Sequence, residues 1–85
     1  MKACEDLADT LGKDAERCGL DYQANYDATV QTVAAGDCGN IVSVRDINVF
    51  YSDCLPFLAK LTCGQVNDPT LTLPESCNAQ LLREQ

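Results

Sequence analysis

The chain contains no histidine and no tryptophan, and only 6% of its 85 residues are aromatic. Without histidine, the commonest acid–base group at neutral pH is missing, and Ser-His-Asp and Cys-His nucleophile systems are excluded. So few large side chains leave little bulk for the core of a small domain. We therefore expect a non-catalytic protein, folded as one domain over residues 1–85, that needs support beyond apolar packing.

Positive charge and long apolar runs are also scarce. Six Lys and Arg stand against thirteen Asp and Glu, a net charge of -7, so nucleic acid would be repelled. No apolar run approaches the ~20 residues that span a bilayer, so we expect no transmembrane segment. The start, Met1-Lys2-Ala3-Cys4, has no apolar signal core. We interpret the chain as the mature segment of an exported protein, periplasmic, cell-surface or extracellular.

Motifs for metals and cofactors are missing as well. No Cys-x-x-Cys pair is present, which argues against structural zinc, haem attachment and a thioredoxin-type redox pair. The nearest calcium-like groupings, Asp37 with Asn40 and Asn67 with Asp68, supply too few oxygen ligands. We expect neither a metal nor a cofactor.

Carboxylate pairs could in principle work alone, as they do in glycosidases. Asp6, Asp9 and Asp14 lie near one another in the sequence, as do Asp21 and Asp27. Acidic residues on the polar side of a helix are ordinarily just a solvated surface. We assign them that role, with no catalytic residue.

What the chain does have is six cysteines, which in so short a domain are typical of an oxidising compartment. We expect all of them to form disulfides, in a small all-α bundle of about four short helices. The residues concerned are Cys4, Cys18, Cys38, Cys54, Cys63 and Cys77.

Two helices are predicted in the first half. Apolar residues recur at helical spacing from Cys4 to Cys18, and Gly19 ends that helix, while Gly12 weakens it by ~1 kcal/mol. Asp21 is a good cap for a second helix, which Gly36 ends. The two should form a hairpin.

The second half is less regular. Residues 41–44 are a β-branched run without an evident partner, which we interpret as an extended connection or a single helical turn. Asp46 caps a third helix that ends at Gly64, with a kink at Pro56 or a fresh helix capped by Asp53. Residues 65–71 are a predicted loop. A capping box at residues 72–75 then begins a last helix through Arg83, with fraying at 84–85.

Helix geometry narrows the fifteen possible cysteine pairings. Within one helix, Cys4 and Cys18 would lie about 21 Å apart, beyond disulfide reach of about 7 Å. In the hairpin, Cys4 comes next to Cys38, and we predict that bridge. The remaining pairs are predicted as Cys18–Cys54 and Cys63–Cys77, with Cys18–Cys63 and Cys54–Cys77 as the alternative.

Five aromatic residues are the only large side chains. Tyr22, Tyr26, Phe50 and Phe57 are predicted to form the core, with tyrosine hydroxyls at the surface. The alternative is a groove between the second and third helices that accepts an apolar ligand or a partner's side chain. Phe57 lies off the main apolar stripe beside the proline, where an exposed aromatic would mark an interface.

Several short segments of the second half resemble a family of small cysteine-rich domains in exported proteins and lipoproteins of deltaproteobacteria such as myxobacteria. The segments are Gly36-Asp37-Cys38, Val44-Arg45-Asp46, Cys54-Leu55-Pro56, Leu61-Thr62-Cys63, Leu73-Pro74-Glu75-Ser76-Cys77 and Gln80-Leu81. The resemblance implies export and disulfides. It brings no catalytic motif and names no ligand.

These observations predict an interaction or structural module that binds a protein partner through the surface around Asp53, Pro56, Phe57 and Lys60. A second hypothesis is a carrier that holds a small apolar ligand inside a helical cavity of ~300 Å³ or more. A third is a secreted effector or enzyme inhibitor that uses the loop at residues 65–71.

Overall fold

A computed structural model describes residues 1–68 and 70–83 of the chain. It begins with a hairpin of two helices, α1 (Lys2–Arg17) and α2 (Tyr22–Ala34). The carboxylate of Asp21 accepts a 2.7 Å hydrogen bond from the Ala24 amide and so caps α2. Ala35 and Gly36 end α2 in left-handed conformations, with φ of 53° and 95°. The predicted hairpin is confirmed.

The third helical segment begins at its predicted cap and ends earlier than predicted. Asp46 Oδ1 accepts a hydrogen bond from the Val49 amide at the start of α3 (Ile47–Val49). One wide π-helical turn, Phe50–Cys54, follows, and α4 (Leu55–Ala59) completes the segment. Pro56 lies in the first turn of α4, where its missing N–H costs least. Asp53 caps nothing: it lies inside the π turn, and Cys54 precedes α4 without a side-chain cap.

A further short helix, α5 (Cys63–Val66), occupies the end of the predicted third helix and the start of the predicted loop. The Thr62 hydroxyl accepts from the Gln65 amide at 3.2 Å, and Gln65 Oε1 accepts from the Thr62 amide at 2.9 Å. This reciprocal capping box begins a new helix, so helix at residue 63 is not a continuation of α4. The boundary predicted at Gly64 is wrong.

The end of the chain is a strand rather than a helix. β1 (Ile41–Val44) pairs antiparallel with β2 (Leu81–Arg83), with Ile41 opposite Arg83 and Val44 opposite Leu81. A bulge interrupts the ladder between Ile41 and Ser43. The predicted last helix is reduced to a 3₁₀ turn, Glu75–Cys77, because a distant β-branched strand supplies hydrogen bonds that local signals do not reveal. Residues 84–85, predicted to fray, lie outside the described residues.

Three disulfides staple these elements together. Their Cα–Cα distances are 5.6 Å for Cys4–Cys38, 5.4 Å for Cys18–Cys63 and 4.9 Å for Cys54–Cys77. The first pair is as predicted, whereas Cys18–Cys54 and Cys63–Cys77 are wrong and the alternative pairing is found. The reason is the break after α4: Cys63 begins α5 beside the end of α1, and Cys54 lies against the turn that carries Cys77. The small, disulfide-stapled, all-α fold is confirmed, with one minor two-stranded sheet.

Apolar side chains form two separate clusters. The first lies between α1, α2 and β1, around Cys4, Ala8, Val30, Ala34 and Ile41. The second is centred on Cys54, Leu58 and Leu61, with Leu7 and Leu11 of α1 packed against it. Among the described residues, no helix has both the length and the apolar character to cross a membrane. The space between the two clusters is where the candidate site lies.

Candidate functional site: an apolar cleft between two small cores

A half-enclosed cleft of about 530 Å³ lies between α2 and the later segments of the chain. Leu7 and Leu11 of α1 line one part of it. Phe50, Cys54 and Leu58 line the part opposite α2, so the cleft lies between the two elements where the sequence allows a groove. The remaining apolar lining comes from segments after α4, including Leu61, Val66, Leu71, Leu73, Cys77 and Leu81.

The cleft exists because α2 presents short side chains to it. Asn25, Ala28, Thr29 and Thr32 line it, all at helical spacing. The Thr29 hydroxyl donates to the Asn25 carbonyl at 2.9 Å, and the Thr32 hydroxyl donates to the Ala28 carbonyl at 2.9 Å. Both hydroxyls are therefore satisfied within α2 and need no partner from the cleft. Only Val30 and Ala34 of α2 are buried.

One wall of the cleft contains a buried carboxylate, that of Asp14, which is only 3% exposed. Its Oδ1 accepts a 2.9 Å hydrogen bond from the Arg17 guanidinium. The same Arg17 nitrogen donates to the Leu61 carbonyl at 2.6 Å. The other carboxylate oxygen, Oδ2, is buried and has no hydrogen-bond partner among the described residues.

The prediction that Asp14 lies on a solvated surface of α1 is wrong, because its side chain is buried. Position 14 follows Leu11 by three residues and Leu7 by seven, which places all three on the same side of α1. That spacing is a signal that sequence reasoning missed, because it counted only apolar residues in the stripe. Asp14 is thus the one charged member of an otherwise apolar stripe.

Charged side chains in the lining are of one sign. Among the described residues that line the cleft, the charged ones are Asp14 and Asp68. Asp68 Oδ1 accepts from the amide and the hydroxyl of Thr70, at 2.9 and 2.7 Å, and these bonds lower the pKa of its carboxyl. Asn25, Gln65 and Gln80 add uncharged polar groups. The cleft is apolar with an acidic bias.

Two other acidic residues of α1, Asp6 and Asp9, accept hydrogen bonds from aromatic side chains. The Tyr22 hydroxyl donates to Asp9 Oδ1 and the Tyr51 hydroxyl donates to Asp6 Oδ2, both at 2.6 Å. The bond to Asp9 raises the pKa of Tyr22 to about 12; burial and the bond to Asp6 raise the pKa of Tyr51 to about 12. The same bonds lower the pKa of Asp6 and Asp9. The hydrogen bonds of Asp9 and Asp6 therefore connect α1 to α2 and to the π turn, respectively.

The predicted aromatic core is only partly present. Phe50 is fully buried at 1% exposure, while Tyr22 and Tyr26 are half-buried. Phe57, predicted in the core, is 37% exposed and is not among the residues that pack in the second cluster around Leu58. Phe57 is therefore a surface residue, which is what its alternative interpretation, as part of an interface, requires.

The predicted partner-binding residues lie outside the cleft. Asp53, Phe57 and Lys60 are exposed and Pro56 is half-buried. Their spacing of three, four and seven residues places them on one side of the third helical segment. None of the four lines the cleft. The molecule therefore has two separate candidate surfaces, the cleft and this outer face.

No group of three His, Cys, Asp or Glu side chains within residues 1–68 and 70–83 is close enough to share a metal ion. Comparison of the chain with protein-family models, with curated proteins and with solved structures gives no match. The resemblance to exported cysteine-rich domains of deltaproteobacteria stays a prediction.

Proposed function

We propose that the protein is an exported, non-catalytic carrier that binds a small apolar ligand in the cleft between α2 and the later segments. The observation that carries this proposal is the cleft itself, about 530 Å³ and lined largely by leucine, valine, phenylalanine and cystine side chains. Pockets that bind small molecules in proteins are typically of this size and this apolar character.

The disulfides support the choice of a carrier. A cleft left between two small cores removes packing that would otherwise stabilise the fold. Three bridges, each contributing about 2–4 kcal/mol in typical proteins, offset that loss. Three disulfides are also typical of proteins that fold in an oxidising compartment, which supports export to the periplasm, the cell surface or the medium.

Saturable binding of an uncharged apolar dye, N-phenyl-1-naphthylamine, to the oxidised protein tests the proposal. The expected result is one saturable site, visible as a rise in dye fluorescence. Thr32→Phe should remove it, because Thr32 lines the cleft and phenylalanine would fill the space.

The matched control is Gln23→Phe. Gln23 lies nine residues before Thr32, about 2.5 helical turns, so it is on the opposite side of α2. Gln23 is exposed and does not line the cleft. Equal loss of dye binding in both variants, or no saturable binding to the wild type, would contradict the carrier.

A second candidate, binding of a protein partner, is favoured by Phe57. An aromatic side chain that is 37% exposed, beside Asp53 and Lys60 on one side of a helix, has the mixed apolar and charged character of an interface anchor. A photo-crosslinking residue at position 57 should give a discrete adduct in the exporting cell, and one at position 23 should not. Adducts of the same pattern from both positions would count against this face.

A further inference from the structure

We infer that the ligand of the cleft is a cationic amphiphile, with an apolar chain and an amino group that hydrogen-bonds to Asp14. This inference rests on the proposed carrier function and adds the chemical class of the ligand. It starts from one feature of the wall that an apolar ligand does not explain, the unpaired oxygen of a buried carboxylate.

The protein supplies hydrogen bonds to only one of the two carboxylate oxygens of Asp14. A buried carboxylate normally accepts several hydrogen bonds, since burial of a charge is costly unless the charge is paired and fully bonded. Here Arg17 donates to Oδ1 only, through a nitrogen that it shares with the Leu61 carbonyl. Oδ2 keeps its capacity to accept. Oδ2 is closed to solvent in this structure, but Asp14 lines the cleft, so a small rotation of its side chain would bring Oδ2 to a donor from a bound molecule and complete the site.

The charge of the lining selects the sign of the ligand. Asp14 and Asp68 are the charged side chains among the described lining residues, and no Lys or Arg is among them. The whole chain carries a net charge of -7. An anionic amphiphile such as a fatty acid would therefore meet like charge in the cleft, whereas a cationic amine would meet Asp14 Oδ2, the carboxylate oxygen that Arg17 leaves without a hydrogen bond.

The apolar lining accounts for the other end of the ligand. Asp14 lies in the same stripe of α1 as Leu7 and Leu11, so an amino group at Asp14 leaves its chain against leucine side chains. Leu58 and Leu61 extend this apolar surface. One charged contact within an otherwise apolar cleft is the arrangement that fixes the orientation of a small ligand.

The experiment compares chain-matched ligands by calorimetry and by displacement of the naphthylamine dye, all below micelle-forming concentrations. Dodecylamine should bind more tightly than dodecanol and dodecanoate, by about tenfold or more, since a hydrogen bond to a buried charge is among the stronger ones. Dodecyltrimethylammonium has the same charge and no N–H group. It should bind more weakly than dodecylamine, because it cannot donate to Oδ2.

A variant provides a second, independent readout. Asp14→Asn should abolish the preference for dodecylamine over dodecanol, and Glu16→Gln should keep it. Glu16 is a fair control because it is an exposed carboxylate on α1 that does not line the cleft. If Asp14→Asn does not fold, the comparison of the dodecyl ligands on the wild-type protein is enough to test whether the cleft prefers an amine.

The outcomes separate the two proposals. Equal binding of the amine, the alcohol and the carboxylate would overturn the cationic ligand and leave the carrier standing. Equal binding of the amine and its trimethylated form would overturn the hydrogen bond to Asp14. Absence of binding by the dye and by every dodecyl compound would overturn both proposals together.

Discussion

Gly12 lies directly against the ring of Tyr22. A Cβ atom at residue 12 would come 2.8 Å from both Cδ2 and Cε2 of that ring and 3.2 Å from the Tyr22 carbonyl oxygen. The Tyr22 hydroxyl reaches back along α1 to Asp9. From the sequence, Gly12 is predicted only to weaken α1. In the structure, the absence of a side chain at residue 12 lets the start of α2 approach α1 closely.

Gly12→Ala should therefore destabilise the protein, although alanine is a better helix former by about 1 kcal/mol. The overlap with the Tyr22 ring should cost about 1–3 kcal/mol and outweigh that gain. Urea unfolding of the oxidised protein measures the difference. Gly64→Ala is the control, because a Cβ there meets only Thr62 Oγ1 at an ordinary 3.8 Å. A Gly12→Ala protein as stable as the Gly64→Ala protein would contradict the close contact.

The Tyr51–Asp6 pair should make stability depend on pH at both extremes. The pKa of Tyr51 is raised to about 12 in the folded protein, so its stabilising contribution is complete below pH 10 and is lost as the pH rises toward 12. The pKa of Asp6 is lowered from 3.8, so its contribution is present above that pH and is lost as the pH falls below it.

Tyr51→Phe should remove the alkaline contribution of this pair and reduce the acid one, since Lys2 also lowers the pKa of Asp6. The free energy of unfolding of the wild type should exceed that of the variant at neutral pH, and the difference should shrink below pH 3.8 and between pH 10 and 12. Denaturant unfolding across this range measures it. Tyr26→Phe serves as the control, since the Tyr26 hydroxyl makes no side-chain hydrogen bond with the described residues. A pH-independent difference would contradict the pair.

Trypsin distinguishes the observed disulfide pattern from the one predicted first. Complete cleavage gives four cysteine-containing peptides, residues 3–13, 18–45, 46–60 and 61–83. With Cys18–Cys63 and Cys54–Cys77, all four stay joined in one species without reductant. With Cys63–Cys77, residues 61–83 would instead be released alone with an internal bridge. Mass spectrometry of the non-reduced digest should find the single joined species.

Gln80 should be essential for the turn that leads into β2. It is only 4% exposed; its Oε1 accepts from the Asp46 amide and its Nε2 donates to the Ser76 carbonyl, both at 2.8 Å. Gln80→Leu leaves both backbone groups unpaired and should cost about 1–3 kcal/mol in thermal or urea unfolding. The exposed Gln23→Leu should change stability by no more than about 0.5 kcal/mol. Similar small effects from both would contradict this role.

The parts of the fold that follow local rules could be predicted from the sequence. The Asp21 and Asp46 caps, the stripe of α1 and the stop at Gly36 each depend on residues within one or two turns. The β1–β2 pairing could not be predicted, because it joins residues about forty positions apart and its second strand is only Leu81–Arg83. A strand this short carries no periodic signal of its own.

The candidate site was harder to predict, for a related reason. Asp14 lies on the apolar stripe of α1, but the cluster that packs against Leu7 and Leu11 of that stripe is centred on Leu58 and Leu61, which come from another part of the chain. The cleft depends on short α2 side chains that face elements not adjacent in sequence. The error in the predicted cysteine pairing had a local cause. The Thr62–Gln65 capping box, which ends the third segment early, is visible in the sequence.

The overlap of the three disulfide-closed spans affects how the protein responds to proteolysis. Cys18 lies inside the span closed by Cys4–Cys38, and Cys54 lies inside the span closed by Cys18–Cys63. Every peptide bond between residues 4 and 77 is therefore straddled by at least one bridge. A single cut anywhere in that stretch sheds no fragment, and both pieces stay tethered until a reductant or a second cut acts.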